Sequence, residues 1–351
     1  MKMPVIDADC HVIETQTTWS YMREADEALR PRVLVHPDAE TSTARRTEFW
    51  FFDGMMQNKR AFPPERSRTP AEAAEMTNLE TRTAHMDELG TDVQVLYPTV
   101  LLGLAMGART QTQIAMCRAY NRWLADIWRE GAGRFRWLVA PPVLDRAATM
   151  EEMEFGKANG ACGMMLHGLL GDYTPVDPYL FPLYQKANDL EMPVCFHAGM
   201  YNHAFEGIFH SRLTGLWKAK VPVISAFHAL ALSDIPERYP RVRWGFIEAA
   251  SSWVPYVLTD LGARLKRMQG RVIEPDLMRR KQFYVACQTE EDIPYILKFT
   301  GEENLVIGSD YGHADTSSEL EALRILQQRE DISAEVKSRI VGANASALYG
   351  L

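Results

Sequence analysis

Several features that would classify the chain quickly are missing. The five cysteines, Cys10, Cys117, Cys162, Cys195 and Cys287, are odd in number and widely spaced, with no CxxC pair. That argues against a disulfide framework and for reduced thiols, buried or beside a site. No run reaches the ~18 uninterrupted apolar residues of a membrane-spanning helix. The start, Met1-Lys-Met-Pro-Val-Ile-Asp7, has no apolar h-region of the kind a signal peptide needs. The expectation is a cytoplasmic protein with no membrane partner. Positive charge is also short: 38 Lys and Arg face 46 Asp and Glu, a net charge of −8. This argues against a broad nucleic-acid surface, although local Arg and Lys could still hold an anionic small molecule. The longest basic groups, Arg264/Lys266/Arg267 and Arg279/Arg280/Lys281, are short and read as solvated helix faces. No GxGxxG follows the first apolar run, which removes the usual dinucleotide-binding fingerprint.

What is present is an ordinary globular balance, 46% hydrophobic over 351 residues, enough for a large core without disulfides or a structural metal. Short apolar runs opening near residues 5, 93, 135, 163, 193, 242, 283 and 305 predict eight strands. Between them, amphipathic patterns predict helices over 77–89, 110–130, 150–159, 180–190, 225–235, 253–268 and 292–299, with two more over 317–328 and 334–349. Strict alternation of strand and helix implies a parallel sheet, and eight units favour closure. The expected fold is α/β, a distorted (β/α)8 TIM barrel forming a single domain over 1–351. A long, charged, irregular stretch follows the first strand, roughly 15–75. It contains Glu48-Phe-Trp-Phe-Phe52, Asp53-Gly54 and Phe62-Pro-Pro64. Loops of that length are usually functional or disordered; the aromatic cluster favours an ordered lid insertion, with Trp50 and Phe51 as candidate caps over an apolar or aromatic substrate.

Sites in such barrels lie at the C-terminal ends of the strands. The polar residues there are Asp9 and His11 on the first strand, His167 on the fourth, His197 on the fifth, Glu248 on the sixth and Asp310 on the eighth. Asp9 and His11 are two apart and share a side of the extended chain. His197 follows Pro193-Val-Cys-Phe196, and Asp310 follows Leu305-Val-Ile-Gly-Ser309, apolar runs that would otherwise bury them. Imidazole and carboxylate together suit a divalent metal, Zn²⁺ first, with Fe²⁺ or Mn²⁺ also fitting. The expected ligands are Asp9, His11, His197 and Asp310, with Glu248 and His167 available should there be two ions rather than one. His228 and His313 are candidates for proton transfer, and His313 and His203 for substrate contact. His210 falls in the same loop as His203, while His36 and His85 read as surface or helix residues.

Seven stretches carry a family resemblance across almost the whole chain: Ile6-Asp-Ala-Asp-Cys-His11, Met86-Asp-Glu-Leu-Gly90, Val95-Leu-Tyr-Pro98, Ala119-Tyr-Asn-Arg-Trp123, Phe196-His-Ala-Gly199, Gly308-Ser-Asp-Tyr311 and Ala343-Asn-Ala345. In order and spacing they resemble the amidohydrolase superfamily. The resemblance is to its amidohydrolase-related (amidohydrolase 2) branch, which includes aminocarboxymuconate semialdehyde and γ-resorcylate decarboxylases. The resemblance implies a distorted barrel with a metal at its mouth, held by the carboxylate-x-His pair Asp9 and His11, by His197 and by Asp310. Two departures stand out. Many superfamily hydrolases carry His-x-His after the first strand, where this chain has Asp9. The decarboxylases carry a proton-handling His after the sixth strand, where this chain has Glu248 within Phe246-Ile-Glu-Ala-Ala-Ser-Ser-Trp253.

The expectation from this reading is a metal-dependent hydrolase of an ester, thioester or amide-like bond in a small organic acid or aromatic compound. Metal-activated water would attack, and Asp310, Glu248 and His228 would handle protons. The rival expectation is a lyase, a nonoxidative decarboxylase or hydratase of an aromatic or unsaturated carboxylic acid. The expected partner is a small-molecule substrate, and a homodimer is allowed.

Overall fold

The computed structural model describes residues 3–35, 48–59, 64–103, 109–199, 202–209 and 212–351. Eight parallel strands form one sheet: β1 (Ile6–His11), β5 (Val93–Tyr97), β6 (Phe135–Val139), β7 (Ala161–His167), β8 (Val194–His197), β9 (Trp244–Ile247), β10 (Phe283–Cys287) and β11 (Leu305–Ile307), hydrogen-bonded in that order. Each begins within two residues of its predicted start. The barrel closes between its first and last strands through a parallel bridge from Cys10 to Tyr311. There the Asp310 amide donates to the Asp9 carbonyl at 2.9 Å and the His11 amide to the Tyr311 carbonyl at 2.8 Å.

Alternation along the strands divides the core in two. Ile6, Ala8, Val95, Leu138, Cys195 and Val306 fill the barrel interior. Their neighbours, among them Cys10, Leu96, Phe196 and Phe246, pack outward against the helices. The C-terminal helix Asn344–Tyr349 sends Ala345, Leu348 and Tyr349 into the interior cluster. The Tyr349 hydroxyl donates to the Ala8 carbonyl at 2.8 Å and bonds the Tyr97 hydroxyl at 2.9 Å. This plug supports the floor on which the strand ends rest.

The helix predicted over 110–130 is Thr110–Glu130, with Cys117, Tyr120 and Leu124 on its buried face. The helix predicted over 225–235 instead spans Val221–Leu232, entered directly from the π-turn Leu216–Lys220. His228 therefore sits in its interior rather than at its start. All five cysteines are buried and free. No helix among the described residues is long and apolar enough to cross a membrane.

The stretch between β1 and β5 is more regular than its composition suggested. It contains a three-stranded antiparallel sheet of β2 (Arg32–Val35), β3 (Glu48–Phe52) and β4 (Met55–Asn58). Asp53 and Gly54, both at positive φ (52° and 76°), turn β3 into β4, the pair of left-handed residues that a two-residue hairpin requires. Gln57 Nε2 donates to the Val100 carbonyl at 2.7 Å, and the Arg109 amide donates to Asp53 Oδ2 at 2.6 Å. The sheet is thereby tied to the segment that leaves the C-terminal end of β5.

Candidate metal centre

The first strand places its polar residues inward by breaking its own alternation. Ile6 and Ala8 face the interior, so strict period-two pairing would send Asp9 and His11 outward with Asp7. The β1–β5 register slips between Asp7 and Cys10: Asp7 pairs with Gln94, but Cys10 pairs with Leu96 and His11 with Tyr97. One extra residue on β1 re-aims everything after it, and Asp9 and His11 turn inward while Cys10 takes the outer face. Gly308, just past β11, makes room for them. A Cβ there would stand 2.3 Å from Asp9 Cβ.

Two other site residues leave their strands in the left-handed region, Glu248 with φ 61° and Asp310 with φ 52°. Such a conformation costs a non-glycine residue about 1–2 kcal/mol. At Glu248 it redirects the side chain toward His197 immediately after β9 ends.

The result is a buried cluster. His11 Nε2 lies 3.2 Å from Asp310 Oδ1 and 3.6 Å from Asp9 Oδ1; His197 Nε2 lies 3.3 Å from the same Asp9 oxygen. Glu248 Oε2 is 3.2 Å from His197 Nδ1, and His313 Nδ1 is 3.0 Å from Asp310 Oδ1. The His313 ring stacks on that of His11, centroids 3.8 Å apart, and its Nε2 meets the Thr99 hydroxyl at 3.0 Å.

The tautomers follow from the outer contacts. His11 Nδ1 sits 2.7 Å from the Pro98 carbonyl, and His197 Nδ1 sits 2.7 Å from the Ala198 carbonyl. A carbonyl only accepts, so both Nδ1 atoms carry the proton and both Nε2 atoms present lone pairs. Those lone pairs face carboxylate oxygens, and His11 Nε2 is buried without a hydrogen-bond partner. Lone pairs converging this way repel unless a cation stands among them. Donors each ~2.0–2.2 Å from one ion stand roughly 3.0–3.5 Å from one another, close to the spacings observed. Asp9, His11, His197 and Asp310 therefore fit a divalent metal, with their outer nitrogens anchored as metal-binding imidazoles usually are.

Burial and neighbours set the protonation of the cluster. Burial, reinforced by His313 and His197, holds the His11 pKa well below its ordinary value, which keeps the imidazole neutral. Burial pushes the Asp310 carboxyl up to about 6, with Asp315 and Asp9 adding to the rise and His313 opposing it. Burial raises the Glu248 carboxyl well above the carboxylate range, helped by Asp310, Asp315 and Asp9. Burial alone would lower His313, but the Asp310 carboxylate outweighs it and the net shift is upward.

The structure thus gathers six of the candidates: Asp9, His11, His197, Glu248, Asp310 and His313. His167 stands behind them. Its Nδ1 bonds the His197 carbonyl at 3.1 Å, and burial holds its pKa down at about 3. His228 is not brought in; its Nε2 pairs with Asp260 at 3.3 Å in the helix layer. Trp50 is fully buried with its ring edge-on to Trp19, whereas Phe51 is 39% exposed. His203 opens the short helix His203–Ile208. His85 lies in the helix Leu79–Leu89 and bonds the Tyr311 hydroxyl at 2.7 Å. His36 and His210 lie outside the described residues. Sequence reasoning passed over Asp315, which joins Glu248, Asp310 and His313 in one group of potential ligands, and Ser318, whose hydroxyl donates to Asp310 Oδ2. Their only sequence trace was closeness to Asp310.

A barrel with this strand-end cluster defines a metal-dependent enzyme class. The chain belongs to the amidohydrolase family, in its amidohydrolase 2 branch; the family model matches residues 6–351. Among solved structures, an amidohydrolase from Mycobacterium avium subsp. paratuberculosis K-10 aligns with a TM-score of 0.79 at 17% identity, covering 100% of this chain and 99% of that one. A 5-carboxyvanillate decarboxylase from Novosphingobium aromaticivorans, complexed with manganese and 4-hydroxy-3-methoxy-5-nitrobenzoic acid, aligns with a TM-score of 0.71 at 16% identity, covering 100% and 96%. The 4-oxalomesaconate hydratase of Rhodopseudomonas palustris aligns with a TM-score of 0.66 at 16% identity, covering 99% and 95%. At these identities the likeness is one of fold.

Proposed function

We propose that this protein is a metal-dependent lyase, a nonoxidative decarboxylase or hydratase of an aromatic or unsaturated carboxylic acid. This reverses the order reached from sequence, where hydrolysis came first. The observation that carries the reading is the placement of Glu248. Its carboxyl group reaches the metal-ligand cluster at His197 from the end of β9, in the company of Asp9, Asp310 and Asp315. A carboxyl group buried among carboxylates keeps its proton. It is then suited to give a proton to a carbon and poorly suited to take one from water. The fold likeness to a decarboxylase and a hydratase supports the same choice.

A divalent ion on Asp9, His11, His197 and Asp310 would supply a Lewis acid that holds and polarises substrate oxygens. The chain's own residues do the rest. The Pro98 and Ala198 carbonyls fix the two imidazoles, and Thr99 and His313 hold Asp310 in place. In decarboxylation the bond between ring or vinyl carbon and carboxylate breaks, and its electron pair stays on the carbon. Glu248 delivers the proton that replaces carbon dioxide and is reprotonated from water. In hydration the same carboxyl protonates the carbon next to the one that receives water. The β2–β4 sheet is read as a cover over the mouth.

The test is incubation of manganese- or zinc-loaded protein with hydroxybenzoates and unsaturated diacids in deuterated water. Release of carbon dioxide with one deuterium at the vacated carbon, or loss of unsaturation with one deuterium beside the new hydroxyl, is the expected result. Turnover confined to model esters, thioesters or amides would return hydrolysis to first place.

A further inference from the structure

The seam that closes the barrel carries three of the four proposed ligands, Asp9 and His11 from β1 and Asp310 from just past β11. It is also the least regular pairing in the sheet, because β11 is three residues long and meets β1 only through the Cys10–Tyr311 bridge and its flanking bonds. On the outer face of this seam lies a layer of buried polar groups that the proposed chemistry does not use. Asp7 accepts from both the backbone amide and the hydroxyl of Ser309, the residue before Asp310. Beside it is Arg82, whose side chain is completely buried.

Among the described residues, no carboxylate contacts Arg82 directly to explain its burial. Its Nε donates to Gln94 Oε1 at 2.6 Å; Nη1 donates to the His11 carbonyl at 3.3 Å and the Ala73 carbonyl at 3.2 Å; Nη2 reaches the His11 carbonyl at 3.4 Å. The guanidinium plane covers the Tyr311 ring, 3.7 Å from its centroid, and the Tyr311 hydroxyl is in turn held by His85 Nδ1. One guanidinium therefore grips the backbone of His11 on β1 and the ring of Tyr311 beyond β11. Burying such a cation is expensive unless its donors are used, and here they bond the residue that is a ligand and cover the one that follows a ligand.

We infer that Arg82 is a positioning residue for the metal centre, a clamp that replaces the missing β1–β11 ladder and fixes the spacing of His11 against Asp310. The inference rests on the reading of the cluster as a metal site and is independent of the reaction class. A clamp acting behind the ligands should show up in metal affinity, at the ~10–100-fold scale typical of outer-shell partners.

The experiment is titration of the metal-free full chain with Co²⁺ alone, followed by visible absorption, alongside melting temperatures of the metal-free proteins. Arg82→Met should weaken Co²⁺ binding by ~10–100-fold, and Arg82→Lys should restore part of the loss. Gln94→Leu touches no ligand and frees only the Arg82 Nε; it should weaken binding in the same direction and serves where Arg82→Met fails to fold. Glu152→Ala removes a buried carboxylate in the helix layer, paired with Arg118 and Arg122; it should lower the melting temperature with Co²⁺ affinity unchanged. Wild-type affinity in folded Arg82→Met or Gln94→Leu would overturn the inference. So would an equal affinity loss in Glu152→Ala, since the effect would then be general destabilisation. Full cobalt stoichiometry in His197→Ala would overturn the metal-site reading itself, and the clamp with it.

Discussion

His11 Nε2 and Asp310 Oδ1 stand 3.2 Å apart and buried, with His313 Nδ1 3.0 Å from the same carboxylate oxygen, although His11 and Asp310 come from opposite ends of the chain. Two electron-rich atoms held this close suit a cation beside them. His197 Nε2 stands as close to Asp9 Oδ1, at 3.3 Å, so removing a member of either pair should relieve repulsion in the metal-free protein while destroying the site. His197→Ala and Asp310→Ala are expected to fold and to lose bound metal, read by elemental analysis after dialysis. Stoichiometric metal in both variants would count against the assignment.

Gly308 tests the same site from its back wall. A Cβ at this position would lie 2.3 Å from Asp9 Cβ and 2.8 Å from the Asp9 amide nitrogen. Gly308→Ala must push the first strand away, and overpacking of this kind typically costs about 1–3 kcal/mol. The expected outcome is a lower melting temperature together with weakened metal binding. A variant with wild-type values for both would show that Asp9 has more freedom than the packing implies.

Glu248 tests the proposed proton donor. Gln keeps the size of the side chain and its reach to His197 but has no acidic proton. Glu248→Gln is expected to retain metal and lose turnover by ~10²–10⁴-fold on the best substrate found. A near-normal rate would remove Glu248 from the chemistry. His228→Ala, by contrast, is expected to keep both metal and rate, because that imidazole is paired with Asp260 in the helix layer.

Glu14 gives a pH signature independent of the metal. Its carboxylate accepts from the Thr99 and Val100 amides at 2.9–3.3 Å. Burial nevertheless pushes its pKa from 4.5 up to about 7. The folded form therefore holds its proton more tightly than the unfolded chain does. Between pH 4.5 and about 7 the unfolded state has released a proton that the folded state retains, so this group's contribution to stability falls as pH rises through that window. Relative to Glu14→Gln, which cannot titrate, wild type should lose up to about 3 kcal/mol across the window, read from denaturant midpoints. A gap between the two that does not move with pH would contradict the shift.

The sequence alone determined the barrel and the polar residues that end its strands. Eight apolar runs separated by amphipathic helices leave few alternatives to a closed parallel sheet, because each strand needs a helix to bring the chain back in the same direction. His197 and Asp310 were legible because a polar residue ending an apolar run has a place at the barrel mouth and nowhere else. The helix boundaries at Thr110–Glu130 were legible for a similar reason, a long apolar stripe with one solution.

Only the tertiary structure decided the rest, because it depends on contacts between residues far apart in the chain. The inward turn of Asp9 and His11 comes from a register slip against β5, set by pairing partners that periodicity cannot name. The turn of Glu248 comes from one left-handed residue. His313 stacks on His11 across the closing seam, while His228, equally plausible in the sequence, falls on the far side of its helix. Arg82 carries no signal of its own in the sequence, since nothing local to it reveals that His11 and Tyr311 converge on its guanidinium. Local pattern fixes which elements form, whereas burial, charge repulsion and side-chain direction at the site are properties of the assembled barrel.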